Sequence, residues 1–338
     1  MRNKSHRPKN ELNSGDSDGA LPPDALSSST DQGLPNTDVS KNQKIELPLL
    51  TEKQVSLTIK REDLLHPLIS GNKYRKLKYN LIEARTKGFD TLLTFGGAYS
   101  NHIAATAYAG KLHGVKTIGV IRGEELLHKW RDNPTLKQAS DQGMQFHFVS
   151  RTAYRKKDST SYLHDLQDRF GSFYCLPEGG TNVLAIRGCG EILGPTEADF
   201  DVICCAVGTG GTLAGIANSA LENQKVLGFP VLKASGLGED IRKFASEELW
   251  QLEPDYHFGG YAKVTRELIL FVNEFKALTE IPLDPIYTGK MLFGLLDMIK
   301  KDTFRPGTKI LAIHTGGLQG VAGMNEKLKK KNWPLLQV

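Results

Sequence analysis

The sequence predicts an α/β fold with a mostly parallel sheet, and two observations support this prediction. Short apolar runs that are typical of buried strands alternate along the chain with segments that have the composition of helices. Several of these runs end in glycine-rich turns that lead into the next helix, at 96–102, 177–182, 208–212 and 314–317. Ligands of open α/β sheets bind at such carboxyl ends of strands, so these turns are the first places to look for function.

The individual elements follow from local patterns. Residues 55–60 alternate apolar and polar side chains as a half-buried strand does, whereas 91–95 and 202–207 are apolar almost throughout. Residues 103–112 predict an alanine-rich helix, and Pro134 suits the first position of a helix over 133–142. The other predicted strands are 115–121, 146–149, 173–176, 225–232 and 310–313, and the other predicted helices are 73–85, one within 151–168, one from about 185, 213–222 and one after Tyr287.

The first 43 residues are predicted to be a disordered tail, with folded structure beginning near Ile45. They are rich in Ser, Asp, Asn, Pro, Gly and Lys and poor in large apolar residues. Such a composition buries too little apolar surface to offset the entropy lost on ordering.

Composition argues against several classes of protein. With 338 residues, 39% hydrophobic and 24% charged, the chain has the composition of a globular protein with one large or two smaller domains. A net charge of +5 without a basic cluster interleaved with aromatics argues against nucleic-acid binding. Four cysteines without a CxxC pair argue against a zinc site or disulfide framework. Because no apolar run approaches the roughly 20 residues that span a bilayer, and no signal-peptide core is present, a cytoplasmic protein without membrane contact is expected.

Lys73 stands at an unusual place for a cation. Gly71 and Asn72 tolerate the left-handed backbone that a sharp helix start needs, so Lys73 begins the helix at a rigid corner. A positive charge is disfavoured at a helix N-terminus, and a lysine placed there loses its proton more easily, as a Schiff-base lysine must. The alternative is a salt-bridge partner on a solvated helix start.

The turn from Gly208 to Thr212 has the composition of an anion-binding site. Its glycines, Gly208, Gly210 and Gly211, let the backbone approach closely, Thr209 and Thr212 can donate hydroxyl hydrogens, and the helix that follows supplies free amides. A tightly packed turn without a ligand is the alternative. Neither the P-loop pattern nor GxGxxG is present, which favours one compact phosphate carried by a cofactor.

The remaining candidate residues are ambiguous when each is considered alone. Ser100 can bind a carboxylate, transfer a proton or cap the helix that begins near Asn101, while His102 is expected to be a packed or hydrogen-bonded residue. Tyr287 could stack on a flat ring or belong to the core, and Tyr261 is equally open. The carboxylates of 62–63 are expected on the surface or at a cap. No HExxH, GxSxG or metal-spaced cluster is present, so no metal is expected.

In this order the motifs resemble those of the pyridoxal-phosphate enzymes of fold type II, and among them the family of 1-aminocyclopropane-1-carboxylate (ACC) deaminase and D-cysteine desulfhydrase. The resemblance extends from about Leu47 to the C-terminal region. It is carried by five motifs: Gly71-Asn72-Lys73-x-Arg75-Lys76-Leu77, Gly96-Gly97-x-x-Ser100-Asn101, Gly208-Thr209-Gly210-Gly211-Thr212, Asp284-Pro285-x-Tyr287-x-Gly289-Lys290 and His314-Thr315-Gly316-Gly317.

The resemblance implies a two-domain open parallel-sheet fold of the tryptophan-synthase-β kind, with a smaller domain at 76–171 inserted into a larger one formed by 44–75 and 172–338. A homodimer, a small amino-acid substrate and bound pyridoxal 5'-phosphate are implied as well. The implied roles are the Schiff-base lysine for Lys73, a nearby cation for Lys76, the phosphate site for Gly208 to Thr212, a neighbour of the pyridine ring for Asn101, the stacking aromatic for Tyr287, a substrate contact or proton shuttle for Ser100 and a second acid/base for Tyr261.

Two threonines bear on the choice between the two activities. ACC deaminases of this family typically carry Glu at the position of Thr288 and Leu at that of Thr315, whereas threonine at both resembles the D-cysteine desulfhydrases. A carboxylate near the ring nitrogen makes the ring a stronger electron sink, and the opening of a cyclopropane is expected to need that help. Expelling a thiolate needs less help. The expected reaction is therefore α,β-elimination, giving pyruvate, ammonia and sulfide.

Other activities stay open at this point. ACC deamination to 2-oxobutyrate and ammonia is the main alternative. A D-serine dehydratase-like or β-chloro-D-alanine activity is possible because Tyr74 and 98–99 depart from the family pattern and could reshape the pocket. A non-catalytic protein on the same fold is the alternative from another class, and it predicts a lost lysine or a degraded phosphate turn, neither of which is found.

Overall fold

The structure is a computed structural model that describes residues 39–69, 71–233, 235–246 and 249–337. The predicted tail lies outside these residues except for 39–43. Within that short piece, Asn42 and Gln43 already belong to a strand, so regular structure begins slightly before the expected start at Ile45.

In the described part of the chain, ten strands form two sheets. The strands are β1 (Asn42–Ile45), β2 (Ser56–Lys60), β3 (Thr91–Gly96), β4 (Lys116–Arg122), β5 (Gln145–Val149), β6 (Tyr174–Leu176), β7 (Val202–Val207), β8 (Lys225–Pro230), β9 (Trp250–Leu252) and β10 (Lys309–Ile313).

Twelve α-helices are described alongside them. They are α1 (Pro48–Glu52), α2 (Asn72–Thr86), α3 (Asn101–His113), α4 (Pro134–Asp141), α5 (Arg151–Tyr154), α6 (Thr160–Phe170), α7 (Val183–Gly190), α8 (Gly211–Ser219), α9 (Leu237–Arg242), α10 (Arg266–Thr279), α11 (Thr288–Lys300) and α12 (Gly320–Lys329).

The strand order confirms the α/β fold with mostly parallel sheets. The larger sheet has the order β1-β2-β10-β7-β8-β9, in which only the β1–β2 pair is antiparallel. The smaller sheet, β5-β4-β3-β6, is parallel throughout. Because β6 pairs with β3, the smaller sheet extends past the expected domain boundary at 171. The domain boundaries themselves stay a prediction.

The most apolar strands occupy the centres of the sheets. All residues of β3 and of β7 are buried, which is why both read as continuous apolar runs and not as alternating ones. Cys204 and Cys205 are completely buried within β7, as expected for cysteines in a core strand. The pairing of these strands with their neighbours sets where the turns that follow them emerge.

Several elements escaped the sequence prediction, among them the strands β1 and β9 and the helices α1, α9 and α10. β1 begins within the composition-biased stretch that predicts a tail, and β9 has only three residues. The helix α10 could have been predicted from the sequence, because apolar residues recur in it at helical spacing. These residues, Leu268, Ile269, Val272 and Phe275, are buried in the structure. The Thr265 side chain caps this helix by accepting a hydrogen bond from the backbone N–H of Leu268.

Candidate active site

A cavity of about 430 Å³ opens at the carboxyl ends of strands from both sheets. Its walls come from the start of α2, the turn between β3 and α3, the turn between β7 and α8, the start of α11 and one face of α12. Ten of the thirteen residues singled out in the sequence line it: Lys73, Lys76, Ser100, Asn101, Gly208, Thr209, Gly210, Thr212, Tyr261 and Tyr287.

Lys73 lies in the first turn of α2 and lines this cavity. Burial of its amine and, secondarily, the like charge of Lys76 lower the pKa of Lys73 to about 7. Near neutral pH a large fraction of Lys73 is therefore an uncharged, nucleophilic amine. The helix dipole acts in the same direction, since the N-terminal end of α2 disfavours a cation.

The turn between β7 and α8 is shaped by glycines that no larger residue could replace without movement. Gly210 precedes α8 with φ +84°, and a Cβ there would lie 2.5 Å from Cγ1 of Ile241. A Cβ at Gly208 would lie 3.3 Å from Cε1 of Tyr287, and one at Gly211 would lie 3.2 Å from Nζ of Lys76. The backbone amides at the start of α8 have no intrahelical partners, so they are donors for an anion.

Lys76 brings a buried cation to the same turn. Its side chain is only 2% exposed, and burial lowers its pKa. Its ammonium donates to the carbonyl oxygen of Gly179 at 3.0 Å and to Oγ1 of Thr181 at 2.9 Å. Thr181 is in turn hydrogen-bonded to Thr209 at 2.7 Å between the two hydroxyl oxygens. A hydroxyl network therefore joins Lys76 to the glycine-rich turn.

These donors fit the phosphate of pyridoxal phosphate. The space beside this turn is free of side chains because the turn is built from glycines. It is surrounded by the buried ammonium of Lys76, the hydroxyls of Thr209 and Thr212 and the N-terminal amides of α8. The Thr212 hydroxyl accepts a hydrogen bond from Asn72 at 2.7 Å and keeps its own hydrogen for donation. A dianion is the ligand that such a donor set favours.

Ser100 and Asn101 occupy the turn between β3 and α3. Ser100 is the N-cap of α3, since its Oγ accepts a hydrogen bond from the N–H of Ile103 at 3.3 Å. That bond uses a lone pair, so the hydroxyl hydrogen of Ser100 remains available to the cavity. Ser100 can therefore cap α3 and also donate a hydrogen bond to a ligand in the cavity. Asn101 lies beside the turn after β10, where a Cβ at Gly317 would be 3.0 Å from its Nδ2.

Tyr287 and Tyr261 form a pair on another wall of the cavity. Their ring centroids are 6.3 Å apart with an interplanar angle of 71°, and their side chains are hydrogen-bonded. Burial, followed by the neighbouring Tyr261, raises the pKa of Tyr287 well above its usual value. Burial also raises the pKa of Tyr261, while the hydrogen bond with Tyr287 opposes that increase. The two hydroxyls are thus coupled, and Tyr261 is the more easily ionised partner in that bond.

Thr288 and Thr315 lie in different environments in the structure. Thr315 lines a small pocket that adjoins the main cavity, together with Lys73, Asn101 and Tyr287. Thr288 lines neither space and is completely buried. Its hydroxyl donates to Oδ2 of Asp284 at 2.7 Å. The Thr288 hydroxyl is thus bound to Asp284, and the implied contact of Thr288 with the cofactor stays a prediction.

Asp284 explains the position of Thr288. Its carboxylate accepts hydrogen bonds from the backbone N–H groups of Ile286, Tyr287 and Thr288 at 2.7–2.9 Å. Together with the Thr288 hydroxyl, these donors occupy both carboxylate oxygens. Asp284 therefore stabilises the start of α11 and orients the Tyr287 backbone at the cavity wall.

Residues that were not singled out in the sequence also belong to this site. Thr181 follows the glycine pair after β6 and joins the site through its hydrogen bonds to Lys76 and Thr209, whereas Arg122 ends β4 and lines the cavity. Position at a strand end was the available signal for both. The lysine-rich stretch 327–331 predicts a solvated helix terminus, yet Lys327 of α12 lines the cavity. Arg122 and Lys327 add positive charge to the cavity wall, which suits the carboxylate of an amino acid.

His102 is buried and hydrogen-bonded, as expected, but it also lines the cavity. The Thr94 hydroxyl donates to the carbonyl oxygen of Leu176 at 3.0 Å, so it accepts from Nε2 of His102 at 2.9 Å. That assignment leaves Nδ1 as an unprotonated acceptor without a hydrogen-bond partner. Burial, then the charges of Lys73 and Lys76, hold the pKa of His102 well below its usual value.

The prediction that Glu62 and Asp63 lie on the surface or at a cap was wrong. Glu62 is completely buried and binds Arg75 through two hydrogen bonds of 2.9 and 2.8 Å. Asp63 pairs in the same way with Arg61, at 2.9 and 2.7 Å. Arg75, in the first turns of α2, is therefore anchored to a buried carboxylate.

Two kinds of feature are absent from the described ranges. No group of three or more His, Cys, Asp or Glu side chains there is arranged to hold a metal ion. None of the helices described is long and apolar enough to cross a bilayer.

Comparison with known proteins agrees with this geometry. The family described as pyridoxal-phosphate dependent enzyme matches residues 36–316. A Pyrococcus horikoshii protein, to which ACC deaminase activity is provisionally attributed, is 35% identical over 296 residues, covering 80% of this chain and 87% of the relative. A bifunctional, mitochondrial D-cysteine desulfhydrase/ACC deaminase of Arabidopsis thaliana is 31% identical over 313 residues, covering 83% of this chain and 78% of the relative. The crystal structure of an ACC deaminase homologue matches with a TM-score of 0.73 at 30% identity, covering 88% of this chain and 95% of that one.

Proposed function

The chain belongs to the pyridoxal-phosphate-dependent enzymes, in the family of ACC deaminase and D-cysteine desulfhydrase, and we propose that it catalyses α,β-elimination from D-cysteine. Its cofactor is pyridoxal 5'-phosphate, and its architecture is that of fold type II. The proposed products are pyruvate, ammonia and sulfide.

One observation carries the choice of reaction. The small pocket shared by Lys73 and Thr315 is lined by hydroxyl, amide and backbone groups, and none of the described residues lining it carries a carboxylate. Asp284 is near, but its oxygens are occupied by the start of α11. A ring nitrogen that faced this pocket would meet no carboxylate to hold it protonated. The cofactor would then be a weaker electron sink, which is sufficient when the leaving group is a thiolate.

The chain's own residues divide the work of binding. Lys76, Thr209, Thr212 and the first amides of α8 would hold the cofactor phosphate, and Tyr287 and Asn101 would flank its ring. Ser100, with a free hydroxyl hydrogen, is placed to bind the substrate carboxylate. When bound, the cofactor supplies delocalisation of the electron pair left at the α-carbon.

Proton transfer is assigned to Lys73 and Tyr261. The amine of Lys73, with a pKa of about 7, can accept the α-proton at neutral pH and can return a proton later. The Tyr261 hydroxyl, hydrogen-bonded to Tyr287, is the second group in the cavity that can move a proton. The Gly208 to Thr212 turn and Lys73 are both intact, which disfavours a non-catalytic protein on this fold.

ACC deamination to 2-oxobutyrate and ammonia is the second candidate. It is favoured by the names of the relatives, one of which has both activities. Lys73 and the phosphate site would serve it equally well. The two reactions differ in the bond that breaks, so the products distinguish them.

The experiment supplies D-cysteine and ACC separately to purified protein with bound cofactor, and measures sulfide, pyruvate and 2-oxobutyrate. Sulfide and pyruvate from D-cysteine support the proposal, whereas 2-oxobutyrate from ACC with no sulfide from D-cysteine overturns it in favour of the second candidate. D-Serine and β-chloro-D-alanine test the remaining alternatives. A yellow protein that turns over none of these substrates would indicate a different substrate or a binding function. Gel filtration and localisation of a tagged chain test the expected homodimer and cytoplasmic location.

A further inference from the structure

Lys290 is a buried cation that the proposed reaction does not use. It is the third residue of α11, it is 1% exposed, and it does not line the cavity. A positive charge is disfavoured both by such burial and by the N-terminal end of a helix. Burial lowers the pKa of Lys290 to about 8, and the charge of Asp284 opposes this. Something at this position must compensate for the unfavourable placement.

The compensation is a complete set of acceptors. The Lys290 ammonium donates to the carbonyl oxygens of His257 and Gly260, both at 2.9 Å, and to that of Val231 at 3.3 Å. An ammonium has three N–H groups, so each one has an acceptor. Two of the acceptors lie in the loop between β9 and α10, and the third follows β8. Lys290 therefore ties that loop to the core of the larger sheet.

The loop that Lys290 contacts, residues 257–262, has an unusual backbone. Within 258–262, Phe258, Gly259, Gly260 and Ala262 all have positive φ, at 53°, 88°, 117° and 55°. A positive φ is unfavourable for residues that have a Cβ, and it persists only where surrounding contacts enforce it. Inside the loop, the N–H of Gly259 donates to Nδ1 of His257 at 2.9 Å. The N–H of Gly260 donates to the His257 carbonyl at 3.0 Å.

This loop carries Tyr261 into the cavity. Tyr261 lies between Gly260, which accepts from Lys290, and Ala262, which has the last of the positive φ angles. Tyr261 as a whole residue is 41% exposed, so packing alone does not hold it in place. The orientation of Tyr261 toward Tyr287 therefore depends on the backbone path of the loop.

We propose that Lys290 is a positioning residue: its three carbonyl contacts hold the 257–262 loop in the strained path that aims the Tyr261 hydroxyl at Tyr287 and the substrate. Lys290 itself touches neither the cavity nor the reacting atoms. The functional half of this inference rests on the proposed role of Tyr261 as a second acid/base, while the structural half concerns only the loop.

The structural half is tested by hydrogen exchange on the protein with bound cofactor. In Lys290→Met the methionine fills similar volume but donates no hydrogen bonds, so the 257–263 amides should exchange at least about 10-fold faster, since losing hydrogen bonds of a charged donor corresponds to 1.4 kcal/mol or more. Tyr256→Phe is the matched control. It removes a 2.8 Å bond from the same region to Asp297 of α11 without touching the Lys290 acceptors. It should leave exchange at 257–263 unchanged.

The functional half is tested by pH profiles of kcat. Tyr261→Phe should lower kcat by about 10²-fold, as loss of a general acid/base does. Lys290→Met should lower kcat by about 10-fold with little change in KM and should shift the limb of the profile that Tyr261→Phe removes. The double variant Lys290→Met/Tyr261→Phe should be no slower than Tyr261→Phe alone. Lys290→Arg, which keeps a donor, should recover part of the loss.

Several outcomes overturn the inference. If exchange in Lys290→Met rises equally throughout the protein, or is unchanged at 257–263, Lys290 does not hold this loop. If the fold-losses in kcat of Lys290→Met and Tyr261→Phe multiply in the double variant, Lys290 does not act through Tyr261. If the parent protein turns over neither D-cysteine nor ACC, the proposed function fails, yet the exchange experiment still decides whether Lys290 fixes the loop.

Discussion

The backbone of Gly71 packs directly against Thr315. A Cβ on Gly71 would lie 2.0 Å from the carbonyl oxygen of Thr315, which is far inside contact distance. Gly71 has φ +61° and ψ −136°, a conformation essentially confined to glycine. This close approach joins the start of α2 to the end of β10. It is the reason that Lys73 and Thr315, 242 positions apart in the chain (315 minus 73), line one small pocket.

Substituting Gly71 by alanine should disrupt the site more than its backbone strain alone explains. Gly88→Ala is the matched control, because Gly88 also has positive φ, at 74°, but a Cβ there meets nothing within 4 Å. Gly88→Ala should cost about 1–2 kcal/mol of unfolding free energy. Gly71→Ala should cost clearly more and should weaken binding of pyridoxal phosphate, measured by absorbance titration of the apoprotein. Equal losses in both variants would show that the contact with Thr315 is unimportant.

Schiff-base formation by the apoprotein should depend on pH with a midpoint near 7. The pKa of Lys73 is lowered to about 7, so the amine is neutral and reactive above that pH and protonated below it. Pyridoxal, which lacks the phosphate, should therefore react faster as pH rises through 7 and level off well below pH 10. In Lys76→Met the midpoint should move to higher pH, because a like charge is removed.

Lys73→Ala is the control for that experiment, and it should abolish the fast reaction. A midpoint that stays near 10.5 in the parent protein would contradict the lowered pKa of Lys73.

Thr181 should matter for the phosphate and not for the rest of the cofactor. Thr181→Val removes the hydroxyl that accepts from Lys76 and bonds to Thr209. Because a hydrogen bond to a charged group contributes about 1.5–3 kcal/mol, binding of pyridoxal phosphate should weaken by at least about 10-fold. Binding of pyridoxal should be nearly unchanged. Thr181→Ser should behave like the parent, and equal weakening for both ligands would indicate general damage to the cavity.

The Arg75–Glu62 pair should be more costly to break than to replace. Arg75→Met leaves the completely buried Glu62 without its bidentate partner, and removing one member of a buried pair costs about 3–5 kcal/mol. The double variant Arg75→Met/Glu62→Leu should recover most of that loss, because no uncompensated charge remains. Urea unfolding followed by circular dichroism measures both. A double variant as unstable as Arg75→Met would show that the ion pair itself is needed.

Much of the secondary structure could be predicted because it follows from local sequence patterns. The continuous apolar runs of β3 and β7, the alanine-rich α3 and the glycine turns after the strands are consequences of burial and backbone geometry that act over a few residues. The order of strands in the two sheets is a different kind of information. β10 lies between β2 and β7, and this pairing joins segments far apart in the chain.

The sequence by itself determined which residue types stand at the strand ends: Lys73 after a Gly-Asn turn, the glycine-rich turn at 208–212, and Tyr287 before a helix. These are properties of short segments, so a local pattern carries them. Only the tertiary structure decided the partners. It turned the Thr288 hydroxyl toward Asp284, brought Thr181 to Lys76 and placed Lys290 behind the Tyr261 loop. Such contacts depend on how distant strand ends converge, and no single segment encodes that convergence.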